Sequence, residues 1–330
     1  MGCDATQMYR SKPERYRHYF QRLFDYATVT FYTHSTGIED FEPVEGTYEF
    51  ASRDLFVHHL ERMGMEIEGR PLVWLHSMVA PEWQAAKDYD ALLAYLRSLI
   101  PALAGRYRGR IGHWEIANEF HDWADVVHLD HKQIIEVVKL ASRLTAEAAP
   151  GAERVVSAHD PFGVYARTGA REDGSRVGER QWTPYRYFRD LIAAGAEFEQ
   201  IGIQIYVPYR DLTDMVAMLE RIESLGKPVV VTEMGVPARA GGTEIDHRWT
   251  RRHQAAWAER MYTLLMSRPG IAGVLWYDFI DHWPFLPGGG LLDWACHPKP
   301  VYERIERLFV DAGRVPEAPP PRHRAGAGLV

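Results

Sequence analysis

The chain has 330 residues, enough for one α/β barrel or two ordinary domains. Hydrophobic residues make up 46% and charged residues 25%, an ordinary globular balance. No apolar run approaches the roughly eighteen residues of a membrane helix, and a net charge of −7 with no basic face argues against a nucleic-acid partner.

Short β-branched runs alternate with longer helical patterns. A first strand is expected within 1–8, followed by a Pro-started helix at 13–24. YATVTFY (26–32) precedes a long loop and a helix at 52–63, and LVWLHS (72–77) precedes a helix at 88–105. IGHWEIAN (111–118) leads to 130–148. RVVSA (154–158) leads through a long Gly- and Arg-rich connection to 184–194. QIGIQIY (200–206) leads to 211–225, PVVVTE (228–233) to 247–267, and GVLWYDF (273–279) to a closing helix at 299–310. The strand runs are almost continuously apolar, as expected where helices cover a parallel sheet. In 88–105, Leu92, Leu93, Leu96, Leu99, Ile100 and Leu103 form one stripe at helical period, a core face. Eight strand-helix units predict a single-domain (β/α)₈ barrel, an α/β TIM barrel over 1–312 with a shortened first strand. The tail 313–330, with PEAPPPRHRAGAGLV, lacks apolar periodicity and is expected to be disordered.

Cys3 and Cys296 are the only cysteines, so neither a disulfide framework nor a four-cysteine zinc site exists. The two lie in neighbouring barrel segments, where a bridge is conceivable; two free buried thiols are the plainer expectation. MGCDATQM carries no charged-then-apolar leader, which fits a cytoplasmic protein or part of an exported one. A monomer is expected.

Two glutamates stand out because each sits at the end of a strand run: Glu119 after WEIAN and Glu233 after VVVT. Strand ends of such a barrel open onto one rim, so these carboxyls can face each other although distant in sequence. One protonated and one ionised carboxyl are the equipment for breaking a glycosidic bond. Asn118, beside Glu119, is placed to hydrogen-bond the sugar hydroxyl next to the reacting carbon. Gln204 and Tyr206, alternate positions of the sixth strand, point the same way toward the cleft. His76 ends the third strand run and is a candidate sugar contact. Trp83, in APEW, is either an outer platform or a packed loop residue. No metal or organic cofactor is implied: strand-end His-x-His is absent, and His58-His59 and His128/His131 fall in helical stretches. A non-catalytic carbohydrate-binding barrel is the competing reading from another class.

In these motifs the chain resembles glycoside hydrolase family 10, the endo-β-1,4-xylanases and relatives. FEPVEGTYEF (41–50), GRPLVWLHS (69–77), WEIANE (114–119), IGIQIY (201–206), VVVTEMGVP (229–237), GVLWYDFIDHWPF (273–285) and GLLDWACHPKPVYERI (290–305) occur in the family's order. The resemblance implies a retaining barrel glycosidase on a xylan-like polysaccharide or oligosaccharide, with Glu119 as acid/base and Glu233 as nucleophile. It implies that Trp276 and Trp283 form aromatic walls. The family's His stands where this chain has Tyr206, and its third-strand His falls at Leu75, so His76 fits only with a one-residue shift. In THSTGIED (33–40), Gly37 stands where the family has a substrate-binding Lys; His34 is the candidate replacement. A β-glucanase or β-xylosidase remains the alternative within the same group.

Overall fold

The computed structural model describes residues 1–5, 13–34, 40–121, 125–169, 182–206, 210–239, 249–281 and 286–314. Eight parallel strands close into a barrel in sequence order, β1 (Gly2–Asp4) pairing with both β2 (Tyr26–Thr30) and β8 (Ile271–Trp276). Between them lie β3 (Glu66–Arg70), β4 (His113–Asn118), β5 (Glu153–Ala158), β6 (Gln200–Ile205) and β7 (Val229–Met234). The expected (β/α)₈ barrel is therefore present.

The outer layer follows the expected helices closely: α1 (Pro13–Leu23), α2 (Ala51–Arg62), α4 (Tyr89–Arg106), α5 (His131–Ala148), α7 (Pro184–Ala193), α8 (Leu212–Glu223), α9 (Arg251–Met266) and α10 (Pro300–Asp311). Two single-turn helices, α3 (Glu82–Ala85) and α6 (Tyr165–Thr168), were not anticipated; both lie in loops on the strand-end side. Local chemistry starts the long helices. Asp88 caps α4 by accepting from the Ala91 N–H at 2.8 Å, and Asp130 with Gln133 closes a capping box on α5. The α4 stripe is buried as expected, except that Leu93 is only half-buried at its margin.

The third strand differs from expectation. The ladder runs through EIEGR (66–70), and the apolar LVWLHS continues past it toward the rim, held by the Leu72 N–H to Glu115 O at 2.8 Å. Charge hid this strand, because Glu68 and Arg70 point into the barrel and are fully buried there. Gly69, between them, faces the helices: a Cβ at that position would lie 2.2 Å from the Trp114 ring. The barrel interior is thus polar on this side, while the apolar core sits between strands and helices around Tyr16, Phe20, Trp114, Ile201 and Val231.

Two register shifts aim the rim. β4 bulges between Glu115 and Ala117 against β5, which brings Asn118 opposite Ser157. β7 skips a residue against β6, which sets Glu233 beside Gln204. Cys3 and Cys296 are both buried and free, the plainer of the two expectations. Residues 315–330, most of the predicted tail, lie outside the described residues. None of the described helices is long and apolar enough to cross a membrane.

Candidate active site

Glu119 follows β4 with φ of 59°, a left-handed conformation that side chains other than glycine rarely adopt. Such strain persists only where the surrounding structure holds it in place. The turn lifts the half-buried carboxyl off the strand line, where two donors meet it. The Trp74 indole N–H reaches Oε2 at 3.1 Å, and the Gln204 amide reaches Oε1 at 2.7 Å. Gln204 also donates to Asn118 Oδ1 at 3.2 Å, and the Ser157 hydroxyl donates to the same oxygen at 2.8 Å. With its carbonyl occupied, Asn118 keeps its NH₂ for other acceptors.

Glu233 is held at both oxygens. The Tyr206 phenol donates to Oε2 at 2.8 Å, and the Arg70 guanidinium donates to Oε1. Burial and then the nearby Asp278 push Tyr206 well above the ordinary phenol value, so it stays a donor at working pH. Gln204 and Tyr206 lie two residues apart, the first on β6 and the second just past it. That short stretch therefore grips both glutamates, one through each side chain.

Beneath Glu233 lies a buried charge cluster. Arg70 donates to Thr232 O at 3.1 Å and places Nε 3.5 Å from Glu115, with Glu68 nearby on β3. Burial opposes the charge on Arg70, but Glu115, Tyr32 and Glu68 outweigh it and raise its pKa. Three carboxyls to one guanidinium is an excess of acid in a dry space. Burial accordingly raises Glu68 and pushes Glu115 up to about 7, against the pull of Arg70.

Other sequence candidates are placed as follows. His76 is half-buried beside Trp74, ring centroids 5.4 Å apart, and its Nδ1 accepts from the Met78 N–H at 3.0 Å. His34 is exposed and pairs with Asp40 at 2.9 Å. Trp83 packs on Tyr95 with centroids 5.3 Å apart beneath the Lys87 ammonium, the packed-residue alternative. Trp276 needs correction: it has no exposed surface and spends its indole N–H on Gly289 O at 3.0 Å, so it is not an open wall. The next residue, Tyr277, is half-buried beside Tyr206 and Tyr32, with its hydroxyl 3.4 Å from that of Tyr32. Trp283 and Gly37 lie outside the described residues. Among the described residues no cluster of His, Cys, Asp or Glu is placed to hold a metal ion.

Arg70, Glu115 and Glu68 were not singled out from sequence; charge at period two in EIEGR reads as a solvated strand face, and Glu115 is a lone charge inside WEIAN. Tyr32 and Tyr277 were passed over because each sat beside a more conspicuous motif residue.

A barrel whose rim presents one carboxyl from the end of β4 and another from β7, each oriented by neutral or cationic donors, has the layout of a two-carboxylate glycosidase. The model of glycosyl hydrolase family 10 matches residues 2–156, a little under half of the chain. Endo-1,4-beta-xylanase 2 of Claviceps purpurea is 34% identical over 82 residues, 24% of this chain and 25% of that protein. The chain thus aligns with about a quarter of the length of this relative. Endo-1,4-beta-xylanase B of Thermotoga neapolitana is 23% identical over 285 residues, 82% of this chain and 74% of that one. Native xylanase 10B of Thermotoga maritima superposes with a TM-score of 0.75 at 21% identity, covering 94% of each chain, a likeness of fold.

Proposed function

We propose that this chain is a retaining glycoside hydrolase that cleaves β-1,4-linked, xylan-like polysaccharide as an endo-β-1,4-xylanase. The observation that carries the reading is the shared grip of one short stretch on both glutamates: Gln204 on Glu119 and Tyr206 on Glu233. In the first step a Glu233 oxygen attacks the anomeric carbon and forms an ester bond. The glycosidic C–O bond breaks, and its electron pair takes the proton of Glu119. In the second step Glu119, now ionised, takes a proton from water; the water oxygen bonds to the anomeric carbon, and Glu233 leaves as carboxylate. Trp74 and Gln204 orient Glu119 for both transfers. The double hold on Glu233 favours its ionised, nucleophilic form. Asn118 is placed beside the acid to meet the neighbouring sugar hydroxyl.

The test is covalent trapping with a 2-fluoro xylobioside bearing a good leaving group, followed by peptide mass mapping. A sugar adduct on Glu233, and loss of turnover in Glu233→Ala, are expected. No adduct together with near-parental activity of Glu233→Ala would refute the assignment. Xylo-, cello- and manno-oligosaccharides compared side by side decide the glycan, with fastest cleavage of internal xylosyl bonds expected. The departure at 33–40 makes cello-oligosaccharides the control that matters most.

A further inference from the structure

Arg70 touches two carboxyls at once, and the proposed reaction consumes the charge of only one. Resting on the double-displacement reading above, we propose that Glu115 is the standby counter-charge of Arg70: Arg70 is balanced by Glu233 in the free enzyme and by Glu115 while Glu233 is an uncharged glycosyl ester. Glu115 acts through Arg70 and is a positioning residue.

Of the two carboxyls that touch Arg70, Glu115 is the one left once Glu233 is esterified. Its side chain is 1% exposed, so water cannot solvate the charge that esterification would strand, and a lone buried cation is costly. Its Nη2 serves Glu233, its Nη1 serves the Thr232 carbonyl, and its Nε faces Glu115 at 3.5 Å. Glu115 is itself fully buried and fixed by the β4 bulge, which aims it inward one step below Asn118. Glu68, the other carboxyl nearby, is engaged by the Tyr26 hydroxyl at 2.9 Å on the side away from the rim.

The groups bearing on Glu115 are Arg70 and Glu68 on β3, Ser157 on β5, and Glu119 at the end of its own strand. Tyr187 on α7 also lies within its field. Burial above all, with Glu68 and Glu119, raises the Glu115 carboxyl to about 7 against the pull of Arg70 and Ser157. Where it carries a proton beforehand, esterification of Glu233 removes an anion beside Arg70. Glu115 then ionises, and its proton passes to water; regeneration of the Glu233 carboxylate reverses the exchange. At Arg70 one anion thus replaces another, while the charge that Glu119 acquires on protonating the leaving group stays at the rim.

The experiment compares the parent, Glu115→Gln and Glu115→Asp on a 2,4-dinitrophenyl β-xylobioside, whose leaving group makes breakdown of the glycosyl-enzyme limiting. The parent should release a burst approaching one equivalent of dinitrophenol. In Glu115→Gln the ester forms beside an unbalanced Arg70, so kcat/KM should fall at least tenfold and the burst should vanish. Glu115→Asp keeps the charge and should keep the burst. A purely structural role would lower the thermal midpoint and the folded fraction while leaving burst and kcat/KM intact per folded molecule. A full burst in Glu115→Gln with kcat/KM within twofold of the parent would overturn the proposal, as would loss of the burst in both variants. A parent that never releases dinitrophenol would instead overturn the glycosidase reading, and the inference with it.

Discussion

Lys299 offers a measurable link between the end of the chain and the rim. Its ammonium is buried to 1% exposure and donates to Asp281 Oδ1 at 2.9 Å, to Gly288 O at 2.6 Å and to Gly290 O at 2.5 Å. One side chain at the start of α10 thereby ties down the segment after β8, which also receives the Trp276 indole N–H. Lys299→Met keeps the volume and removes all three donations. Asp281 then retains the Gly290 N–H at 3.0 Å but loses its cation. Each hydrogen bond involving a charge contributes about 1.5–3 kcal/mol, and the desolvation of the ammonium recovers part of the sum. Removing one partner of a buried pair accordingly costs about 3–5 kcal/mol. Urea unfolding followed by tryptophan fluorescence should show that loss. Adding Asp281→Asn should restore roughly 1–2 kcal/mol, because the orphaned anion becomes a neutral amide. A single variant within about 1 kcal/mol of the parent, or a double variant no better than the single, would show that the pair does not hold this segment.

Three further outcomes follow from the same coordinates. The Glu115 carboxyl is raised to about 7 in the folded chain from an ordinary 4.5, so its contribution to stability is full below pH 4.5 and is lost as pH rises through about 7. Relative to Glu115→Gln, the parent should lose roughly 3 kcal/mol between those limits; parallel stability curves for the two proteins would contradict this. Tyr206→Phe deletes the 2.8 Å bond to Glu233 and should reduce kcat/KM about ten- to a hundredfold with an unchanged melting temperature. A loss under threefold would remove Tyr206 from the machinery. Both cysteines are buried, and burial chiefly, with Asp4 and Asp278, raises the Cys3 thiol well above its ordinary value. Ellman's reagent should therefore find no fast thiol in the native protein and two after denaturation, whereas rapid native labelling would contradict that burial.

The barrel was legible because most of its strand runs are largely apolar and its helices carry one-sided stripes, the strongest patterns a chain can show. Glu119 and Glu233 were legible because each is a charge terminating such a run. EIEGR was not: a strand that turns Glu68 and Arg70 into a polar interior has the alternation of a solvated strand, and the more apolar LVWLHS beside it drew the assignment. Trp276 misled for a related reason. Residue type says that an indole will be buried or stacked, but only the packing of Gly289 above it decides which. The contact of Trp74 with Glu119, and the choice between platform and packing for Trp83, likewise depend on loop geometry that periodicity does not encode.

The backward bend at position 119 sets durability against chemistry at a single residue. A side chain held at φ of 59° costs the fold roughly 1–2 kcal/mol that glycine would not. On the proposed glycosidase reading, a descendant freed from catalysis would gain robustness by drifting to glycine there, at the expense of the reaction. Screens that reward heat tolerance alone should favour the same exchange, and so enrich sturdier proteins that no longer turn over.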